Sequence, residues 1–307
     1  HRLIRRQRQM CIRDRYIRGA FHAIHKPAPT ITYSVSTFAG DVQQICIEAN
    51  RVDFDGIFAY NAADYLPRVS LTNKLLSDLY KYGEANISGD AIADSLHEML
   101  SESSRHDGEV ATDPELANLA ATMAKMINGN LSANKKICDP AAGSGSLISS
   151  AMKVFNINGN QVVANDINPK LIELLSLRLG LNNPITINKS NAPVVTTKDI
   201  LSFVPSDFND IEVVLLNPPF VAGINCVNRK APFISFIQRT KGSPSDTGVG
   251  QQNLGAVFLE TVCCLMPTGT TIVCIFPKAQ LVERGNEAIA FREMLLNIFG
   301  LQCIFNY

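Results

Sequence analysis

Residues 211–220, IEVVLLNPPF, constrain the fold of this chain more than any other stretch. A run of β-branched and aliphatic side chains predicts a fully buried strand, and the two prolines end it because proline cannot donate to a sheet ladder. In an open α/β sheet, ligands bind at the carboxyl ends of the strands. The residues that we expect to line such a cleft are Asn217, Pro218, Pro219 and Phe220. Taken alone, these residues are equally typical of an ordinary strand-ending turn.

Composition predicts a cytoplasmic protein with a large buried core. The 307 residues are 46% hydrophobic and 18% charged, which suffices for one large α/β domain and a smaller one. No apolar run reaches membrane-spanning length and no signal peptide opens the chain, so we expect no membrane association. The eight cysteines include no CxxC pair and no metal-ligand spacing, so we expect reduced thiols and no metal site.

The first fifteen residues, HRLIRRQRQMCIRDR, carry six arginines and one aspartate. A basic arm for nucleic acid is one interpretation. However, RRQRQMCIRDR resembles the translation of a transposon-end adapter used for sequencing libraries, so we interpret residues 1–15 as a non-native tail. Leaving them out changes the count from 28 basic and 28 acidic side chains to 22 and 27, a net charge of −5. Overall charge therefore gives no support for nucleic-acid binding.

Residues 16–106 predict a small, partly helical N-terminal domain. Between residues 71 and 100, apolar side chains recur at helical spacing, whereas the patterns at 30–38 and 44–58 allow short strands. A polar stretch at 101–108 predicts a linker, so the second domain would span residues 107–307.

The second domain alternates between strand and helix patterns. A helix is predicted to Ile127, because Thr112-Asp113-Pro114-Glu115 combines a cap, a proline and an acid at its start. Predicted strands occupy residues 135–139, 161–165, 194–200, 211–216, 270–276 and 301–305, and predicted helices run to residue 155 and across 169–179, 254–265 and 287–298. This order predicts a mainly parallel, doubly wound sheet.

A glycine-rich turn follows the first predicted strand. In DPAAGSGSL, residues 139–147, glycines let the backbone approach a ligand, and the amides at the next helix start favour negative groups. Asp166 ends the second strand about 20 residues further on, where a ribose hydroxyl pair is usually held. Taken alone, the turn is weak evidence for a cofactor site, since its spacing is not the GxGxxG of a dinucleotide-binding site.

The segments GEVATDPELA, DPAAGSGSL, NDINP, KDIL and NPPF, in that order, resemble the S-adenosylmethionine-dependent DNA adenine-N6 methyltransferases. The similarity covers residues 89–307 and is closest to the modification subunit of type I restriction systems. DPAAGSG together with NPPF is specific, whereas either motif alone is much less so. The resemblance implies a Rossmann-like methyltransferase fold.

The resemblance also implies which residues bind S-adenosylmethionine. They are Thr112, Asp139, Ala141, Gly143, Gly145, Asp166, Ile167, Asp199 and Ile200. Asp166 would accept hydrogen bonds from the ribose hydroxyls and Asp199 would contact the cofactor adenine, although a turn or helix cap is the structural alternative for each carboxylate. The chain departs from the family where Asp113 separates Thr112 from the proline, which leaves the role of Thr112 open, and where Glu212 replaces an aspartate.

The implied reaction is methyl transfer to the N6 amine of an adenine flipped out of double-stranded DNA, in a restriction-modification or phage-defence system. The Asn217 side-chain oxygen and the Pro218 carbonyl would accept the two amine N–H bonds, and Phe220 would stack on the base. No metal is required. Specificity and restriction subunits are implied as partners.

A long loop containing glycine and serine is predicted between residues 221 and 253. Its candidates for contact with DNA phosphates are Arg229, Lys230, Arg239 and Lys241. A solvated loop without such contacts is an equally weighted alternative.

Other functions fit parts of the pattern. Methyltransferases of the same fold that act on a protein glutamine or on RNA also use Asn-Pro-Pro, but they usually have tyrosine after the prolines and lack Asp-Pro-Ala-Ala. An inactive cofactor-binding scaffold is a further alternative, and a dehydrogenase ranks last because nothing marks a nicotinamide site. We also expect the chain to stop before the family's last antiparallel strand, which would leave residues 301–305 without a strand neighbour.

Overall fold

The structure is a computed structural model, and it describes residues 32–41, 43–44, 72–84, 90–91, 93–94, 112–182, 191–220, 224–248, 254–297 and 300–306. Within these residues, five strands form one sheet in the order β3-β2-β1-β4-β5, and every adjacent pair is parallel. The strands are β1 (Lys136–Asp139), β2 (Val162–Asn165), β3 (Val194–Thr196), β4 (Ile211–Leu216) and β5 (Thr271–Cys274). The doubly wound order is confirmed, and it reverses between β1 and β4.

Helices cover both faces of the sheet. They are α1 (Asn73–Glu84), α2 (Pro114–Asn128), α3 (Ser146–Phe155), α4 (Pro169–Asn182), α5 (Ile224–Lys241), α6 (Leu254–Leu265), α7 (Ala279–Val282) and α8 (Asn286–Asn297). Side chains of β4 alternate between the two layers, as a pleated strand requires. Val213 and Leu215 pack with α2, α3 and α4, whereas Val214 and Leu216 pack with α5, α6 and α8.

The start of α2 shows why the sequence predicted it correctly. The Asp113 carboxylate accepts hydrogen bonds from the amides of Glu115, at 2.8 Å, and Leu116, at 3.3 Å. Pro114 occupies the first turn, where its missing N–H costs no helical hydrogen bond. Four alanines on the inner face of this helix are buried, which allows close packing in the layer shared with α3. The position of residue 112 is therefore fixed by a well-capped helix.

The predicted strand at residues 301–305 and the possible strand at 30–38 are not strands where the structure describes these residues. Residues 301–306 form neither strand nor helix, and Ile304 and Phe305 are about 60% exposed. An apolar pattern indicates a capacity for burial, but a strand also needs a neighbouring backbone, and the described residues provide none here. Near the N-terminus, residues 32–41 form a turn and then a helix from Phe38, rather than the strand considered for residues 30–38. The possible strand at 44–58 lies almost wholly outside the described residues.

The prediction of a long loop between residues 221 and 253 was wrong, because α5 occupies Ile224–Lys241. Its buried face carries Phe236 and Ile237, with Phe233 one turn earlier, which is helical spacing. The glycines and serines that suggested a loop lie mainly outside the helix, although Pro232 lies within it.

The segment after α5 is held by a buried carboxylate on α6. Glu260 accepts hydrogen bonds from the Ser245 hydroxyl, the Asp246 amide, and both the amide and hydroxyl of Thr247, at 2.6 to 3.0 Å. Burial alone would raise the pKa of Glu260, but these hydrogen bonds outweigh it and lower the pKa. Residues 245–247 are therefore anchored rather than free.

We expect Glu260→Ala to lower the free energy of unfolding by about 1–3 kcal/mol, because the buried donors of Thr247 lose their acceptor. Urea denaturation at neutral pH measures this change. Glu293→Ala, at an exposed position of α8, is the matched control and should change little. Since the pKa of Glu260 is lowered, its stabilisation should fade as the pH falls through that pKa, so the two proteins should converge in stability in acid. Equal stability at neutral pH would contradict this account.

Residues from the N-terminal region contact the helices behind the glycine-rich turn. Asp94 pairs with Arg178 of α4, which is 1% exposed and also donates to the Ser146 hydroxyl at 2.8 Å. Asp90 accepts from Ser149 of α3 and Asn182 of α4, both at 2.9 Å. The described N-terminal residues are thus linked to the start of α3. The division into two domains remains a prediction.

Candidate active site

Three predicted site carboxylates follow three neighbouring strands. Asp139 ends β1, Asp166 follows β2, and Asp199 lies three residues after β3. Each accepts a hydrogen bond from the amide two residues ahead, at 3.1, 2.8 and 2.9 Å respectively. The turn and cap geometry considered from the sequence is therefore present at all three positions. At Asp139 this geometry leaves an oxygen for a ligand, because a carboxylate offers about four lone-pair sites and Oδ2 has no partner among the described residues.

The glycine-rich turn is tied to the end of β2. The Gly143 amide donates to the Asp166 carboxylate at 2.8 Å, and the Ala142 amide donates to the Asn165 carbonyl at 2.8 Å. Gly143 and Gly145 have φ of 54° and 86°, where other residues are strained. A side chain at Gly145 would also place its Cβ 2.9 Å from Cγ of Leu175. Both glycines are thus required by the backbone, and Gly145 is also required by the packing against α4.

Asp139 carries a buried acceptor without a hydrogen bond. The residue is 1% exposed, and its Oδ2 has no partner within the part of the chain that the structure describes. Burial, and then the neighbouring Asp166 charge, raise the pKa of Asp139. Such an oxygen fits a cationic or hydrogen-bond-donating ligand, which would lower that pKa again.

Asn217 lies immediately beyond β4, which pairs with β1, the strand that precedes the glycine-rich turn. Its Nδ2 donates to the Thr112 hydroxyl at 2.9 Å. Its Oδ1 is buried and makes no hydrogen bond to any described residue. The sequence predicted Asn217 in a cleft, but it did not predict the contact with Thr112, which had been assigned to the cofactor.

Phe220 is held by two residues that sequence reasoning missed. Its ring meets the edge of Phe276, which follows β5, with centroids 5.8 Å apart and planes at 74°. Gly255 of α6 lies against the same ring, since an added Cβ would stand 3.1 Å from two ring carbons of Phe220. No local motif marks either residue, because the contact is between segments distant in the chain.

For the methyl transfer that the resemblance implies, we expect Gly255→Ala to lower the turnover number by about tenfold while leaving the thermal unfolding temperature nearly unchanged. The methyl group would push the Phe220 ring away, whereas alanine is the better helix former by about 1 kcal/mol, which offsets part of the overpacking cost. Steady-state kinetics of methyl transfer and calorimetric unfolding measure the two effects. Gly285→Ala, where an added Cβ meets nothing within 4 Å, is the control. Full activity of the Gly255 variant would contradict a positioning role.

The remaining predicted cofactor residues differ in exposure. Ile167 is 69% exposed at the tip of β2, and Ala141 is half-buried in the glycine-rich turn. Ile200 is 5% exposed and packs in the core with Cys138 and Val214, so most of its surface serves packing.

The four basic residues do not form the predicted loop surface, because all lie on α5. Arg229 and Arg239 are exposed, but Lys230 is 2% exposed and cannot reach a phosphate in this structure. Lys241 pairs with Asp246 and lies 3.5 Å from Glu260, so its charge is largely compensated. Among the residues described, no cluster of His, Cys, Asp or Glu could hold a metal ion, and no helix is long and apolar enough to cross a membrane.

The five-stranded parallel sheet, with the glycine-rich turn after β1 and acids after β2 and β3, is typical of the Rossmann-like class of S-adenosylmethionine-dependent methyltransferases. The family model for N-6 DNA methylases matches residues 84–306, most of the chain. The chain belongs to the N-6 DNA methylase family, which confirms the resemblance found in the sequence.

Solved structures agree with this assignment. The type IIG restriction endonuclease BpuSI is 34% identical with a TM-score of 0.79, and the match covers 96% of this chain and 34% of the endonuclease. This chain therefore spans about a third of that protein's length. A comparison with curated proteins gives no significant match.

Two more distant structures share the fold alone. The methyltransferase subunit of a type I restriction-modification system from Streptococcus thermophilus is 18% identical with a TM-score of 0.52, over 85% of this chain and 55% of that one. A putative class I S-adenosylmethionine-dependent methyltransferase from Listeria monocytogenes is 13% identical with a TM-score of 0.50, over 94% and 79%.

Proposed function

We propose that this chain is the catalytic region of a DNA methyltransferase that transfers a methyl group from S-adenosylmethionine to the N6 amine of adenine. The observation that carries this proposal is the Asn217 oxygen, which is buried, makes no hydrogen bond to a described residue and lies at the carboxyl end of a central strand. A buried acceptor without a partner costs free energy, and a bound substrate amine would supply the missing donor.

The chemistry of the amine explains why such an acceptor is needed. The lone pair of the adenine N6 amine is delocalised into the ring, so the amine is a weak nucleophile. Asn217 Oδ1 and the Pro218 carbonyl would accept its two N–H bonds and favour a pyramidal nitrogen whose lone pair is available. The prolines that follow Asn217 restrict the backbone, which keeps these acceptors in place during the reaction.

The residues present fit S-adenosylmethionine, which supplies an electrophilic methyl group on a sulfonium when bound. The buried Asp139 oxygen without a hydrogen bond suits a cofactor that carries positive charges. Gly143 has a positive φ in the turn, and its amide donates to the Asp166 carboxylate, which we propose as the acceptor for the ribose hydroxyls. Thr112, Ala141, Ile167, Asp199 and Ile200 remain further candidates at this edge of the sheet.

Double-stranded DNA is the proposed substrate, with the target adenine flipped out of the helix. Phe220, held by Phe276 and Gly255, would stack on the flipped base. Arg229 and Arg239 are the exposed basic residues that we retain as candidates for phosphate contacts. Specificity and restriction subunits, within a restriction-modification or phage-defence system, are the proposed partners.

Transfer of a labelled methyl group from S-adenosylmethionine to three acceptors tests this proposal. The acceptors are unmethylated DNA, RNA and total cellular protein, each incubated with the complete protein that contains this chain. Label in DNA alone supports the proposal. Label only in protein or RNA would establish the alternative methyltransferases of the same fold. Cofactor binding without transfer to any acceptor would indicate an inactive scaffold.

A further inference from the structure

The contact between Thr112 and Asn217 joins two segments that are 105 residues apart in the chain. Thr112 is half-buried and lies directly before Asp113, whose carboxylate caps α2, and Pro114, which fixes the first turn. Asn217 is fixed on the other side by β4 and by the two prolines after it. Both partners therefore adjoin rigid elements, which fix the Thr112 hydroxyl and the Asn217 carboxamide relative to each other.

A carboxamide has two chemically different ends of nearly equal size. Its nitrogen donates and its oxygen accepts, so a half-turn about the last side-chain bond exchanges a donor for an acceptor. Only the oxygen can accept an N–H from a substrate amine. With the nitrogen reversed into the site, two donors would face each other and the amine would lose its acceptor.

We propose that Thr112 is a positioning residue that orients the Asn217 carboxamide, with its hydroxyl accepting from Nδ2 so that Oδ1 faces the reacting amine. The orientation of the carboxamide in the structure agrees with this role: the 2.9 Å hydrogen bond occupies the nitrogen, which leaves the oxygen as the end without a partner among the described residues. The inference rests on the proposed methyl transfer to an amine. It also gives Thr112 a different role from contact with the cofactor.

The two roles predict different kinetics. If Thr112 acts through Asn217, replacing its hydroxyl changes turnover and leaves cofactor affinity unchanged, because the affected group meets the amine. If Thr112 holds the cofactor instead, replacing its hydroxyl should lower the affinity for S-adenosylmethionine. The loss of one neutral hydrogen bond corresponds to a change of about three- to tenfold.

Thr112→Val, which keeps the shape and removes the hydroxyl, is the main test in the complete protein. We expect kcat for methyl transfer to unmethylated DNA to fall about three- to tenfold, with the calorimetric Kd for S-adenosylmethionine unchanged. Thr112→Ser restores the hydroxyl and should recover the lost turnover. Thr122→Val is the matched control on α2, since, among the residues that the structure describes, that hydroxyl bonds to the Asn118 carbonyl of its own helix. Wild-type kcat in Thr112→Val, or weaker cofactor binding at unchanged kcat, would overturn the inference.

The double variant Thr112→Val/Asn217→Ala separates action through Asn217 from an independent effect. If Thr112 works only through the carboxamide, removing its hydroxyl should have no further effect once Asn217 is alanine. A further drop of three- to tenfold would contradict the inference.

An NMR measurement keeps the inference separate from the proposed function. In ¹⁵N-asparagine-labelled protein, the Asn217 side-chain amide protons should exchange slowly in the wild type and in Thr112→Ser, and faster in Thr112→Val. This readout requires no activity. If the wild type methylates no DNA, the proposed function fails while the exchange result still decides whether Thr112 holds the amide; equal exchange in all three proteins would overturn the inference.

Discussion

Asn217→Ala is expected to lower the rate of methyl transfer to DNA by a factor of about 10²–10³, or roughly 2.7–4 kcal/mol, the usual effect of removing one preorganised group. The Asn217 oxygen matters most as the amine nitrogen becomes pyramidal, so the loss falls on the transition state. Affinity for S-adenosylmethionine should change little, because Asp139, Gly143 and Asp166 lie on other strands and turns. Single-turnover kinetics with labelled cofactor, together with calorimetry, measure both quantities.

Asn209→Ala is the matched control for this experiment. Asn209 is exposed and lies just before β4, at the opposite end of the strand that Asn217 follows. Its replacement should leave both transfer and cofactor binding unchanged. If the Asn217 variant methylates adenine as fast as the wild type, the proposed mechanism is wrong, and if it loses cofactor affinity in parallel, Asn217 belongs to the cofactor site.

Asp166→Ala should weaken S-adenosylmethionine binding by about tenfold to a hundredfold, corresponding to about 1.5–3 kcal/mol for hydrogen bonds to a charged group. The variant loses the proposed contact to the ribose hydroxyls and also the acceptor for the Gly143 amide, which ties the glycine-rich turn to the tip of β2. Isothermal titration calorimetry measures the change.

Two further variants sharpen the test at Asp166. Asp166→Asn keeps a side-chain oxygen for one backbone amide but lacks the charge and the second acceptor. Its loss of affinity relative to the wild type therefore measures those two features, and its smaller loss than the alanine variant measures the retained oxygen. Asp207→Ala is the control, since this exposed carboxylate accepts from the Val204 amide in a short 3-10 helix away from the turn. Unchanged affinity in Asp166→Ala would remove Asp166 from the cofactor site.

The sheet could be predicted because its strands are marked locally. The apolar run of β4 is buried almost throughout, and a run of that length bounded by prolines has few alternatives to a central strand. The glycine-rich turn was likewise expected between β1 and the next helix, and Gly143 and Gly145 both have positive φ there. The same order of strands and helices places Asp139, Asp166 and Asp199 at or after the carboxyl ends of β1, β2 and β3.

The parts that the sequence did not predict depend on distant contacts. Gly255 and Phe276 support Phe220 from other elements, and the hydrogen bond from Asn217 to Thr112 spans 105 residues. Helix α5 was missed because flanking glycines and serines outweighed its buried face, and the burial of Lys230 on that helix appears only once the helix is packed. An apolar pattern at 301–305 likewise did not produce a strand, since pairing depends on a neighbour and not on the pattern.

The most direct test of the central claim is mass spectrometry of nucleosides from DNA treated with the complete protein. Unmethylated amplified DNA is incubated with S-adenosylmethionine that carries a deuterated methyl group, and the DNA is then digested to nucleosides. The account predicts deuterated N6-methyl-deoxyadenosine that is absent without enzyme and nearly absent with Asn217→Ala. A deuterated methyl group found only on cytosine, or found on protein with none in DNA, would contradict it.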